Sequence, residues 1–189
     1  MLNLLNPAKE YSGSSSYKYV EKLIDGGKRV LIVSPYIDEY YARYLISRGM
    51  SRKIYVIASS VSENVEKMLS GGRRWLNPVY AFLTVAILVT LLLYFDVQYL
   101  YVLLLAVIAI ALTGAIATLM HGKRSNIRFK RPSSFVHAKL YISEKMAIEG
   151  SANLTYKGLH SNVEYIKIVY ERREIDELEK RFWSMWNSL

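Results

Sequence analysis

The chain has 189 residues, room for one domain of ordinary size or for a smaller domain with an addition. It has no Cys, which excludes disulfides, thiolate catalysis and Cys-based zinc sites; its three His (His121, His137, His160) are too few and too scattered for a metal cluster. The net charge of +9 points to an anionic partner. However, Arg73, Arg74, Lys123, Arg124, Arg128, Lys130 and Arg131 all flank one apolar block, and the rest of the chain is close to neutral, so charge alone is no argument for nucleic acid.

Residues 1–16 are expected to be irregular, ending in the polar run Ser12 to Ser16. Met1 to Leu5 is too short an apolar run, with no preceding basic residues, for a signal peptide. Tyr17 to Asp25 carries Val20, Leu23 and Ile24 at helical spacing and stops at Gly26-Gly27. Arg29 to Ser34 is a short apolar strand of the kind buried on both faces, ended by Pro35. Asp38 is a suitable N-cap for a helix over Glu39 to Arg48. Lys53 to Ala58 reads as a strand and Ser62 to Ser70 as a helix stopped by Gly71-Gly72. This alternation predicts a three-layer α/β domain.

Then the pattern breaks. Val79 to Phe95 and Tyr99 to Met120 contain no charged residue, and only Asp96, Val97 and Gln98 lie between them. The second run would span about 33 Å as a helix, enough for a ~30 Å hydrocarbon core; the first is near the lower limit unless counted from Leu76. Soluble core helices rarely stay apolar on every face for so long. The expectation is therefore a transmembrane helical hairpin over 76–120, with spans at about 76–95 and 99–120. Basic residues flank both open ends, so the positive-inside rule predicts an integral membrane protein with two spans, both termini and the catalytic domain being cytoplasmic. The bilayer is then one expected partner. Apart from Tyr, the uncharged runs 79–95 and 99–120 have only Thr as polar residues, which leaves nothing to line a transport path.

After the insert, Asn126 to Lys130 reads as a strand. Val136, Ala138, Leu140 and Ile142 alternate in a strand-like manner, which puts His137, Lys139 and Tyr141 on the opposite face. Met146 to Ile148 is long enough for a neighbouring strand, ending at Gly150-Ser151. Such a hairpin would gather His137, Lys139, Ser151 and Asn153 at one end of a sheet. An imidazole able to attack phosphorus, a permanent cation and two neutral hydrogen-bonding groups suit a phosphodiester. A loop or short helix over Leu154 to Ser161, a strand over Val163 to Tyr170 and an amphipathic helix over Glu171 to Trp186 complete the chain. The domain is thus expected to be discontinuous, built from 17–72 and 126–189 around the insert.

His137-x-Lys139 followed by Gly150-Ser151-x-Asn153 resembles the HxK…GSxN signature of the phospholipase D superfamily. Asn162-x-Glu164 resembles the family's downstream Glu, and Val30 to Tyr36 its first core strand; everything but the apolar insert is covered. One departure stands out. Glu144 replaces the family's usual Asp, and the spacing from there to Gly150 is one residue shorter, which puts the hairpin turn in question.

The resemblance implies a phospholipase D-like α/β/α fold with the membrane hairpin inserted, and five catalytic residues. His137 would be the nucleophile, forming a phosphohistidine. Lys139 and Asn153 would hold phosphoryl oxygens and Ser151 would donate a further hydrogen bond. Glu164 would orient the imidazole. No cofactor or metal is implied. Double displacement needs a nucleophile and a separate acid, while this chain has one signature, so a homodimer with a composite site is expected. The substrate class stays open between nucleic acid, narrowly favoured by the chain's small size, and phospholipid, favoured by the hairpin. A non-catalytic membrane adaptor is the reading from another class. Outside the signature, His160 reads as a surface loop residue, His121 as interfacial, Glu149 as without a role, and Tyr36 as either near the site or in core or rim.

Overall fold

The computed structural model describes residues 9–71 and 125–189, with Ile108 between them. The chain divides into two compact units, Met1–Gly72 with Ser125–Leu189, and Arg73–Arg124. The expected membrane hairpin over 76–120 lies, apart from Ile108, outside the described residues. Among the described residues no helix is long and apolar enough to cross a membrane.

The first unit is one seven-stranded sheet covered on both faces. Its elements in chain order are β1 (Lys9–Gly13), α1 (Tyr17–Gly26), β2 (Arg29–Val33), α2 (Glu39–Gly49), β3 (Lys53–Ile57), α3 (Glu63–Leu69), β4 (Ile127–Lys130), β5 (Leu140–Ile142), β6 (Ala147–Gly150), α4 (Tyr156–His160), β7 (Glu164–Val169) and α5 (Arg172–Ser188). The strand order is β1-β7-β6-β5-β2-β3-β4. β2, β3 and β4 run parallel, and the other neighbours pair antiparallel.

Side-chain alternation sorts the strand residues into two cores. Val30, Ile32, Ile54, Val56, Tyr141, Ile148, Ile166 and Ile168 pack with Val20, Leu23 and Ile24 of α1, Tyr41 and Leu45 of α2 and Val65 of α3. On the other face Leu31, Val33, Ile57, Leu140, Ile142 and Val169 pack under Ile175, Leu178 and Phe182 of α5. Continuous apolar strands such as Val30 to Val33 follow from burial on both faces. The three-layer arrangement is the expected one.

Two expectations fail. Residues 9–13 are not irregular: β1 pairs antiparallel with β7, from Lys9 opposite Ile168 to Gly13 opposite Glu164. Its polar sequence KEYSG suits an edge strand, whose outer side faces water. The strand expected from Val136 starts only at Leu140. Its partner β2 ends at Val33, opposite Leu140, and Pro35 beyond has no N–H to continue a ladder. His137 and Lys139 therefore lie in an extended lead-in just past the sheet.

The shortened β5–β6 turn closes without strain. The Ser143 N–H donates to Met146 O at 2.9 Å, and the Ser143 hydroxyl donates to the same carbonyl at 3.1 Å. Glu144 supports it from outside, its carboxylate accepting the backbone N–H groups of Lys28 at 3.1 Å and Arg29 at 2.6 Å. The residue in the place of the usual Asp thus fastens the turn to the start of β2.

Candidate active site

The site forms beyond the C-terminal end of β2, where the lead-in to β5, the end of β6 and the start of β7 meet. Ser59, just after β3, grips the residue before His137: its hydroxyl accepts the Val136 N–H at 2.8 Å and donates to Val136 O at 3.2 Å. His137 itself is exposed. Lys139 folds back over it, with Nζ 3.2 Å from both ring nitrogens and donating to His137 O at 2.9 Å. Lys139 is only 9% exposed. Burial holds its ammonium pKa below the ordinary lysine value, and the nearby Glu164 carboxylate offsets part of that effect.

The two halves of the signature are joined through backbone, the Gly150 N–H donating to Lys139 O at 3.3 Å. Only glycine fits there, since a Cβ on Gly150 would lie 2.1 Å from Tyr165 O on β7. Ser151 follows, its N–H donating to Tyr165 O at 2.9 Å. Its hydroxyl accepts the Tyr165 N–H at 3.0 Å and gives its single proton to Glu164. Glu164, 8% exposed, also accepts from the Asn162 amide at 3.0 Å.

This wiring differs from the expected roles in two places. No hydrogen bond joins Glu164 to His137; the carboxylate is held between Ser151 and Asn162. Ser151 accordingly spends its proton on Glu164 rather than offering it to the site. The structure does bring Lys139 to His137; the pairing of Ser151 with Glu164 was not expected from the sequence.

Asn153 is the open member of the set. Its Oδ1 is buried and has no hydrogen-bond partner. Its backbone is fixed by Thr155 N–H donating to Asn153 O at 2.8 Å, and by the next residue, whose N–H (Leu154) donates to the buried Ser34 hydroxyl at 2.9 Å. α4 packs directly against it, with the hypothetical Cβ of Gly158 only 2.7 Å from Asn153 O. The unpaired side-chain oxygen of Asn153 can only accept a hydrogen bond, so it is the Nδ2 amide group that could donate to a phosphoryl oxygen.

Sequence reasoning missed four supports: Ser34, Ser59, Gly158 and the surroundings of His160. His160 is not a surface loop residue. It ends α4, stacked between Tyr17 at 4.2 Å and Tyr156 at 4.5 Å, with Nε2 3.0 Å from the Tyr41 hydroxyl. Asp38 links this corner to α2, capping Tyr41 N–H at 3.0 Å and accepting Tyr156 N–H at 2.5 Å. Only the Ser-rich ends of β2 and β3 hinted at any of this. Glu149 is an ion-pair partner of Lys167 at 3.7 Å, and Tyr36 sits on the rim, 44% exposed.

The site thus belongs to a class of three-layer α/β proteins that carry His-x-Lys and Gly-Ser-x-Asn at one end of a mixed sheet. Residues 103–186, which contain the whole signature, match the family described as cardiolipin synthase, PLD-like domain. No curated protein matches. Among solved structures, the phospholipase D family member Nuc from Salmonella typhimurium superposes with a TM-score of 0.57 at 12% identity, over 96% of this chain and 95% of that one. NucT from Helicobacter pylori gives 0.53 at 12% identity, over 96% of each chain. At that identity the likeness speaks for the fold. The family match and the signature make residues 103–186 a PLD-like domain, and the two structures share the fold of the whole chain.

Proposed function

We propose that the protein is a phosphodiesterase, narrowly a nuclease, anchored in the membrane by 76–120 with its catalytic domain in the cytoplasm. A ring nitrogen of His137 attacks phosphorus, forming a P–N bond as the P–O bond to the leaving group breaks. The leaving oxygen takes a proton from a second imidazole, that of His137 in the other subunit of a two-fold dimer. Water then attacks phosphorus, giving its proton to that second, now neutral imidazole, and the P–N bond breaks to restore the first. Lys139 and Asn153 hold the phosphoryl oxygens, where fixed donors count most as charge builds. Ser151, Asn162 and Glu164 position these groups from behind.

The observation that carries this reading is the Lys139 ammonium within 3.2 Å of both His137 ring nitrogens, fixed by Gly150 to the second half of the signature. A phosphate bridging cation and imidazole needs that juxtaposition. The small chain, without further elements to shape a lipid pocket, favours nucleic acid over lipid.

One observation favours phospholipid hydrolysis or headgroup transfer. A cavity of about 660 Å³ lies between β5, β6, β7 and α5, lined by Ala138, Leu140, Leu178 and Met185 with Lys167 and Arg181. Apolar walls suit an acyl chain and Arg181 an anionic headgroup, Lys167 being paired with Glu149 and Glu174. The adaptor reading had the shortened turn as its one argument, and that turn is closed.

Detergent-purified protein with EDTA present, offered single-stranded and duplex nucleic acid, mixed phospholipids and a bis-aryl phosphodiester, tests the proposal. Turnover that disappears in His137→Ala, with acid-labile phosphate trapped on the wild type, is expected. Turnover surviving in His137→Ala would overturn the mechanism, and absence of turnover on every substrate with the dimer intact would favour the adaptor.

A further inference from the structure

Two large aromatic rings stand open beside the candidate nucleophile. Phe135 is 55% exposed and Tyr36 44% exposed. Their centroids lie 5.9 Å apart at an interplanar angle of 56°, and Phe135 is 6.1 Å from the His137 ring. The backbones beneath them are held fast. Tyr36 O accepts from the buried Ser34 hydroxyl at 2.8 Å, and Tyr36 forms a parallel bridge with Ser60. Val136, directly after Phe135, is gripped by Ser59 on both its N–H and its C=O. Exposed rings on fixed backbone form a preorganised surface rather than a floppy one.

We infer that Tyr36 and Phe135 are the stacking platform for the bases next to the scissile phosphate, and that the substrate is therefore single-stranded nucleic acid. The inference rests on the nuclease reading and narrows it. What must be recognised is a phosphodiester with a flat apolar group close to it, and a nucleotide has that form. The rings carry no charge and no base-reading hydrogen-bond set, so they take any base through its π-face. In a duplex those faces are covered by neighbouring base pairs, whereas in a single strand they are free to leave the stack. The tilt between the rings suits two successive bases splayed apart rather than stacked on each other.

The test uses the full-length protein in detergent with three probes of one sequence: a single-stranded oligonucleotide, its duplex, and the single strand with abasic positions on both sides of the scissile phosphate. For wild type, KM is expected to be about tenfold lower for the base-bearing single strand than for the abasic one, in line with stacking on one or two rings. In Tyr36→Ala and Phe135→Ala that ratio should fall towards one, and Tyr36→Phe should keep it. A misfolded variant would lose kcat on both strands, whereas lost stacking moves the ratio alone. If wild type cleaves nucleic acid but the Ala variants keep the wild-type ratio, or duplex is cut as well as single strand, the inference fails and the nuclease reading stands. If the Ala variants sediment as monomers while wild type is a dimer, the rings belong to the subunit interface and the inference fails. If wild type cleaves phospholipid but none of the three probes, both fail.

Discussion

Lys139 shows how a residue's surroundings set both its cost and its use. Its ammonium is mostly withdrawn from water, and burial lowers its pKa, with Glu164 restoring part. The folded pKa being below the unfolded one, the unfolded chain binds the proton more tightly. Stability is therefore reduced at pH values below the folded pKa and rises as pH climbs through the window between the two values. Phosphate binding needs the protonated form, so activity should fall on the alkaline side before the ordinary Lys value of about 10.4 is reached. Lys139→Met separates the two effects. Turnover should drop on the order of 10²–10³-fold, as for loss of one oxyanion donor, while Tm stays level or rises. A calorimetric scan beside a pH–rate profile checks this; a clear fall in Tm would mean that Lys139 is a structural ion-pair member instead.

At the scale of elements, the short helix α4 is a strap across the site. It begins just after Asn153, ends just before Asn162 and Glu164, and is fastened by the Thr155 cap on Gly158 N–H at 3.0 Å, by Asp38 and by the stacked His160. Gly158 lets it approach Asn153 as closely as it does. Gly158→Ala should push on the Asn153 carbonyl and cost about 1–3 kcal/mol of stability, as overpacking does. With Asn153 the proposed phosphate ligand, shifting its backbone should lower kcat about tenfold or more at temperatures where the variant is still folded. Urea unfolding and kinetics measured on the same preparation would show it; a stable variant with full kcat would remove α4 from the positioning of Asn153.

For the whole molecule, the informative element is β1, whose outer side has no strand neighbour among the described residues. It covers β7, the strand that Glu164 opens. Removing residues 1–13 would bare the apolar β7 edge, Ile166 and Ile168 included, to pairing with other chains. The truncated protein should aggregate and lose activity, whereas Lys9→Ala or Glu10→Ala, which keep the backbone ladder, should behave as wild type by light scattering. A soluble, active truncation would show β1 to be dispensable.

The sequence alone determined the α/β alternation, the three layers, the helix cap at Asp38 and the identity of the signature, because periodicity and capping are local and survive without knowledge of the fold. It also brought Lys139 to His137, two residues apart, where a short extended segment leaves little choice. What it could not supply were contacts between distant stretches. The Ser59 grip on Val136 spans 77 residues and the Glu144 clamp on Arg29 spans 115. β1 was illegible because an edge strand has no buried face to write a pattern. The start of β5 at Leu140 was fixed by where β2 runs out at Pro35, not by its own alternation, which continues back to Val136. The partners of Glu164 were likewise decided by the β6–β7 register, which sets Ser151 rather than His137 against its carboxylate. Local chemistry named the groups of this site; strand register and long-range backbone contacts decided which of them meet.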